Sequence, residues 1–244
     1  MKLLALDIET SGAVVRTFSL FRPIISHEAI IEHPRIICWS AQWVGDKKVL
    51  YASEYEHGRK AMLDELHELI TEADAIITYN GQGFDIPWIE GEFIYEGMSP
   101  TPPVTHIDLY RTIKQRTRHI SGKLDYAVQR LLGDRKVPHA GIKLWNGCAE
   151  GDPKAWATMK KYSKHDTALL VPLYQALRPW IKQHPSAPVH GASPDGCVVC
   201  GSEYLRIRGS YKTKTGKYRR YQCQDCGKWQ RARKGDMVAN YTAI

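Results

Sequence analysis

The segment that constrains this chain most is Leu3-Leu4-Ala5-Leu6-Asp7-Ile8-Glu9-Thr10. Leu3 to Ile8 reads as a buried strand, and a buried strand commits the chain to a sheet. Side chains two apart on a strand point to the same face. Asp7 and Glu9 therefore project side by side, while Leu6 and Ile8 pack the other way. Two carboxylates at the end of an apolar strand repel each other in a poorly solvated place, and a divalent cation between them removes that cost. A strand running out into a polar loop accounts for the same letters. This segment alone leaves both readings open.

The rest of the first 180 residues alternates strand and helix signals. Ile36–Val44 and Lys48–Ala52 read as adjoining strands joined by a tight turn at Gly45-Asp46. Residues 59–72 have helical spacing, with Met62, Leu63, Leu66, Leu69 and Ile70 on one face. Ala75–Tyr79 reads as a strand, Phe84–Tyr95 as a helix and Val104–Ile107 as a strand. Helical patterns follow over 109–115, 124–132 and 154–177, where Pro172 predicts a kink. The stretch 11–35 contains Pro23 and Pro34 and is not one long helix. This order predicts an α/β fold, a mixed sheet flanked by helices. Pro185, Pro188 and Pro194 make 181–194 a linker by composition, so the expected division is 1–180, linker, and a small module over 195–244.

At 244 residues the chain is long enough for one α/β core and an appended module. No apolar run approaches the roughly 20 residues of a membrane span, and Asp7 and Glu9 make the N-terminus a poor signal peptide. The expectation is a cytoplasmic protein without a membrane partner. The net charge of +8 is uneven. From Ser186 onward there are eleven Lys/Arg against four Asp/Glu, while the remaining 185 residues carry 23 against 22. A cationic tail on a near-neutral body suggests a polyanionic partner, with nucleic acid the first expectation.

Two further acidic positions stand out. In Thr78-Tyr79-Asn80-Gly81-Gln82-Gly83-Phe84-Asp85 a strand ends, a glycine-containing turn follows and a helix begins near Asp85. The glycines would let a substrate backbone approach closely. A helix N-cap is the simpler account of Asp85, and Pro87 suits it. In Tyr162-Ser163-Lys164-His165-Asp166, Tyr162 and Asp166 are four apart and share a helix face. A carboxylate there can bind a metal while the phenol orients a water. A solvent-facing Asp beside a half-buried Tyr is the alternative.

Of six cysteines, Cys38 and Cys148 are isolated and read as ordinary buried thiols. Cys197-x2-Cys200 and Cys223-x2-Cys226 form two knuckles with tetrahedral zinc spacing. The 22 residues between them exceed the usual span, which a long hairpin would absorb. A pair of disulfides is the competing reading. So small a module needs a structural Zn²⁺ to fold. Among its cations and aromatics, Arg206, Arg208, Lys212, Arg219, Arg220 and Trp229 are candidates for holding phosphates and stacking bases. Alternatively the aromatics pack the module's core and the cations are merely solvated.

Taken together, Asp-x-Glu on the first strand, Asn-x3-Phe-Asp at a strand-to-helix turn and Tyr-x3-Asp on a late helix resemble the DEDDy branch of the 3′–5′ exonucleases. That family has an RNase H-like fold and includes polymerase proofreading domains. The resemblance covers roughly residues 1–180. Pro34-Arg35-Ile36-Ile37-Cys38-Trp39, Ile107-Asp108-Leu109 and Gly122-Lys123-Leu124-Asp125-Tyr126 look like family B proofreading domains and the stand-alone phage exonucleases related to them, in which case the compartment is the host cytoplasm. Lys161 stands where the other branch has histidine, five residues before the last Asp. The stretch 11–35 is longer than the family's usual hairpin.

The resemblance implies that Asp7, Glu9, Asp85 and Asp166 hold two Mg²⁺ or Mn²⁺ ions and that Tyr162 holds the attacking water. Thr10, Asn80 and Phe84 would line the groove for the terminal nucleotide. DNA is the expected substrate ahead of RNA, with a separate polymerase or replication protein as a further partner. The C-terminal Cys-x2-Cys-Gly-Ser … Tyr-x-Cys-x2-Cys-Gly-Lys looks like the zinc ribbons of some transposases. Two other functions fit the same features: a catalytically inactive nucleic-acid-binding or recruitment protein, and an RNase H-like endonuclease.

Overall fold

The computed structural model describes residues 1–19, 21, 24–118, 120–134, 141–235 and 237–238; Pro23 and the last residues of the basic tail, 239–244, lie outside them. Strand β1 (Leu3–Thr10) leads into a short ribbon, β2 (Val14–Val15) and β3 (Ile30–Glu32). The ribbon's base is closed by Ser11 N donating to Arg35 O at 2.8 Å. Next come β4 (Ile36–Trp43), β5 (Leu50–Ser53), α1 (Glu54–His57), α2 (Arg59–Glu72), β6 (Ala75–Thr78), α3 (Asp85–Tyr95), β7 (Thr105–Asp108) and α4 (Leu109–Arg116). Helices α5 (Leu124–Leu132), α6 (Ile142–Ala149) and α7 (Pro153–Leu177) complete the body. The expected strands and helices are present, with ends shifted by one or two residues, and α1 and α6 are additional. Helix α7 starts at an Asp152 cap, whose Oδ1 accepts from Lys154 N at 2.9 Å, and continues through Pro172 to Leu177.

The body is a mixed sheet in the order β5-β4-β1-β6-β7. β4 lies antiparallel to β1, and β6 parallel to it. The central position of β1 follows from its composition. Leu4, Leu6 and Ile8 pack with Met62, Leu63 and Leu66 of α2 and Ile89 and Phe93 of α3. Leu3 and Ala5 pack on the other face with Leu169, Leu170 and Leu173 of α7 and Val128 of α5. Each fully buried leucine contributes about 1.5–3 kcal/mol through water exclusion. The alternation carries Asp7 and Glu9 onto the α7 face.

Helix α7 is held in register against that face by hydroxyls. Asp7 pairs with Ser40 across β1 and β4. Ser40 Oγ lies 2.8 Å from Ser163 Oγ and 2.6 Å from Thr167 Oγ1. All three are fully buried, and Ser163 and Thr167 directly follow Tyr162 and Asp166 in sequence. No helix of the described residues is long and apolar enough to cross a membrane.

The C-terminal module is a separate sheet of β8 (Leu205–Lys212), β9 (Gly216–Cys223), β10 (Trp229–Arg231) and β11 (Met237–Val238). β9 pairs with β8 on one edge and with β10 and β11 on the other. The β8–β9 hairpin absorbs the long span between the cysteine knuckles. The segment before it is packed: Ile181 joins the core beside α7, and a 3-10 turn runs over Ala187–His190.

Candidate active site and metal knuckles

The acidic candidates come from three elements at one end of the sheet. Asp7 and Glu9 are half-buried at the end of β1. The β1–β6 ladder ends at Ala5 and Ile77. Further along that edge, Asp85 Oδ1 accepts the Ile8 N–H at 3.3 Å. Asp85 therefore spans toward the strand between Asp7 and Glu9. It does not cap its own helix: the N-cap position of α3 is Phe84, which makes no side-chain cap bond. Burial raises the Asp85 carboxyl to about 7, against the lowering effect of its own N–H and that of Ile8.

Tyr162 and Asp166 are both buried, at 8% and 2% exposure, which excludes the solvent-facing alternative. Burial raises the Tyr162 phenol well above its ordinary value. Glu9, Asp166 and Asp7 raise it further, and it donates a hydrogen bond to Asp166. Its electrostatic neighbours are thus three of the four predicted acids. Trp145 packs edge-on to Tyr162, with ring centroids 6.2 Å apart. The Trp145 indole N–H donates to Thr10 O at 3.1 Å, so this residue ties the end of β1 to the Tyr162 ring. Cys38, opposite Glu9 in register, packs with Cys148, Met159 and Tyr162. Both isolated thiols are buried and free, as expected.

The Asn80–Gly83 turn is fixed by Asp108, whose role sequence reasoning missed. Asp108 Oδ1 accepts from Asn80 N at 3.0 Å and from Arg111 N at 3.1 Å, and Oδ2 accepts from Gln82 N at 3.4 Å. These bonds hold Asn80 at φ 67°, a left-handed conformation unusual for a side-chain-bearing residue. A Cβ at Gly81 would collide with the Thr78 side chain. The fixed turn delivers Phe84, 41% exposed, beside Asp85. The only signal available for Asp108 was its place in Ile107-Asp108-Leu109, where a strand ends and a helix begins.

The donor set at this end of the sheet is all oxygen, which suits Mg²⁺ or Mn²⁺. An anionic cluster with one carboxyl raised by burial is an environment that a cation stabilises. A cleft of about 730 Å³ is lined by Pro34 and Arg35 ahead of β4 and by Trp88 and Tyr95 of α3. The carboxylates, where titratable groups converge, are the stronger candidate for a reaction site than this mainly apolar cleft.

In the C-terminal module the four cysteine sulfurs lie within 4.8 Å of one another. Cys197–Cys226 and Cys200–Cys223 are each 3.6 Å apart. The thiols are free, and this spacing excludes the disulfide alternative, because bonded sulfurs stand about 2.05 Å apart. It fits four thiolates about 2.3 Å from one zinc ion. The two knuckles repeat one geometry. Gly201 N donates to Cys197 O at 2.8 Å and Gly227 N to Cys223 O at 3.1 Å, and both glycines have φ 77°.

Register divides the module's predicted contacts between two faces. Arg206 and Trp229 both pair with Gln222, Tyr211 pairs with Tyr218, and Arg231 pairs with Arg220. These residues share one face. There Arg220 lies over the Trp229 ring at 4.9 Å and Arg231 over Tyr218 at 4.1 Å. Lys212 and Arg219 point to the opposite face, which at its cysteine end packs on the first knuckle through Gln230 and Val198. Arg208 sits at the bulge between Ile207 and Ser210, where its carbonyl accepts from Arg220 Nε at 2.9 Å.

A family model described as the RNase_H superfamily matches residues 32–178. No curated protein sequence matches the chain significantly. Among solved structures, the family B DNA polymerase from the hyperthermophilic archaeon Pyrobaculum calidifontis is similar, with a TM-score of 0.55 and 17% identity. The alignment covers 73% of this chain and 24% of that polymerase, so the chain spans about a quarter of the polymerase's length. At that identity the likeness is one of fold.

Proposed function

The chain belongs to the RNase_H superfamily, and from that premise we propose that it is a metal-dependent 3′–5′ exonuclease of the DEDDy kind, acting on DNA ahead of RNA. The observation that carries this reading is the convergence of Tyr162 with Glu9, Asp166 and Asp7, with Asp85 bonded to the strand between Asp7 and Glu9. Asp7, Glu9, Asp85 and Asp166 would hold two divalent cations. When bound, such ions lower the pKa of a coordinated water and stabilise charge on the leaving oxygen.

The chain's own contribution is positional. Tyr162 stays protonated at neutral pH because burial, and then the carboxylates around it, raise its phenol, so it does not serve as a base. It can hold a water or phosphate oxygen by hydrogen bonding, with its direction set by Asp166 and Trp145. Asn80 and Phe84, on the fixed turn, would receive the terminal nucleotide. A zinc ion in the four-cysteine cluster would order the module and present Arg206, Arg220, Arg231, Tyr211, Tyr218 and Trp229 to the substrate. The likeness to a family B polymerase in fold is compatible with proofreading for a separate polymerase.

The test is nucleotide release from matched 5′-labelled single- and double-stranded DNA and RNA, with Mg²⁺ or Mn²⁺. Stepwise shortening from the 3′ end is expected, and a circular single strand should survive. Cleavage of the circle would favour the endonuclease reading. Binding without any release would favour a non-catalytic protein.

A further inference from the structure

Helix α4 and the residue pair that follows it concentrate charge that the body as a whole does not have. Residues 109–118 contain Arg111, Lys114, Arg116 and Arg118 and no acidic residue. Leu109, Thr112 and Ile113 are buried, which leaves Arg111, Lys114 and Gln115 on the outward face. Arg116 turns toward the C-terminal module, donating from Nε to Trp180 O at 3.0 Å. Lys228, beside the second cysteine knuckle, reaches the same segment, donating to Ile181 O at 2.6 Å. The helix thus begins at Asp108, which fixes the Asn80–Gly83 turn, and ends at the joint with the module.

Alongside α4 runs a polar cleft of about 490 Å³, lined by Gln82, Asp108, Arg111, Gln115, Lys182 and Gln183 among others. That volume lies in the ~300–1,000 Å³ range of clefts that hold small ligands, the size of a nucleotide rather than a duplex. Its one carboxylate, Asp108, is engaged by three backbone N–H groups. Arg111 donates to the Gln82 side chain, three residues before Asp85. The remaining lining offers two cations and three amides, the chemistry that takes phosphate oxygens and base edges.

We propose that this cleft and the outward face of α4 form a phosphate track that carries a single nucleic-acid strand between the carboxylate site and the C-terminal module. The choice of polymer rests on the exonuclease reading. The track itself rests on the cleft and its charge. The body and the module then grip one continuous strand.

The test is fluorescence anisotropy of the full-length protein with a labelled oligothymidylate, in buffer without added Mg²⁺, across about 50 to 200 mM salt. Each phosphate contact on a single strand contributes roughly 0.7 to the slope of log affinity against log salt. Lys182→Gln is expected to lower the slope by about 0.7, and Arg111→Gln with Lys182→Gln by about 1.4. Lys60→Gln, the same change of charge at an exposed position on α2, should leave it unchanged. Wild-type slope and affinity in both track variants would overturn the proposal. Lys182→Gln keeps the test open if Arg111→Gln disturbs the Gln82 turn. If the protein releases no nucleotide from any substrate, the exonuclease reading fails, while the slopes still decide the track.

Discussion

Asp85 Oδ1 accepts the main-chain N–H of Ile8, the residue between Asp7 and Glu9, at 3.3 Å. This bond connects the start of α3 to the end of β1 where the sheet ladder has stopped, and it brings carboxylates from distant parts of the sequence together. It also sets the cost of the arrangement without metal, because Asp85 is 4% exposed.

The pH dependence of stability follows from that cost. The Asp85 carboxyl is raised to about 7, mainly by burial, above its unfolded value near 3.9. A group whose pKa rises on folding stabilises the fold at low pH, and that contribution is lost as pH climbs through the folded value. Metal-free protein is therefore predicted to lose thermal stability between about pH 4 and pH 7. Mg²⁺ should raise the melting temperature more at pH 8 than at pH 5. Asp85→Asn should flatten the profile, and a profile identical to wild type would refute this role for burial.

Removing a predicted metal ligand should abolish the chemistry without unfolding the body. Asp7→Ala and Asp166→Ala are each predicted to reduce nucleotide release by about a thousandfold, corresponding to several kcal/mol of metal-derived stabilisation. Single-turnover assays with Mg²⁺, alongside binding measured without it, separate the two effects. Full activity in both variants would exclude the two-metal reading.

Tyr162→Phe removes one oriented hydroxyl from a site that stays packed by Trp145. The predicted loss is about 10²-fold in rate, the scale of one preorganised hydrogen-bond donor, with little change in apparent substrate affinity. Because the phenol does not ionise near neutrality, the pH–rate profile of the variant should keep its shape. A changed acidic or basic limb would give Tyr162 a proton-transfer role instead.

Much of this was legible because β1 and α2 obey simple periods. Met62, Leu63, Leu66, Leu69 and Ile70 all fall on the buried face expected of them. The alternation of β1 put Asp7 and Glu9 on one side. What escaped was whatever depends on pairing between segments. Asp85 looks like a helix cap in sequence because nothing local announces the Ile8 N–H it accepts. The division of the module's cations between two faces depends on a bulge beside Gly209, at φ 75°, which shifts the register between Ile207 and Ser210. The basic run on α4 vanished in a charge count averaged over the whole body.

The module's two faces give the last prediction. Trp229 is 48% exposed under Arg220, on the face that also carries Tyr211, Tyr218 and Arg231. Base stacking on such a ring is worth about 1–3 kcal/mol by alanine substitution, so Trp229→Ala should weaken single-strand binding by roughly 5- to 150-fold. Arg219→Gln, on the opposite face, removes a charge without a stacking surface and should cost far less. Cys197→Ser should mimic both losses together, because without the metal the sheet that aligns Trp229 with Arg220 has only a small core of Val199, Leu205 and the cysteines. Zinc content measured on the same samples closes the comparison. About one ion per chain is expected in the wild type, Trp229→Ala and Arg219→Gln proteins, and a loss only in Cys197→Ser. Equal effects of Trp229→Ala and Arg219→Gln would mean that the module binds by charge alone and that the aromatic face is structural.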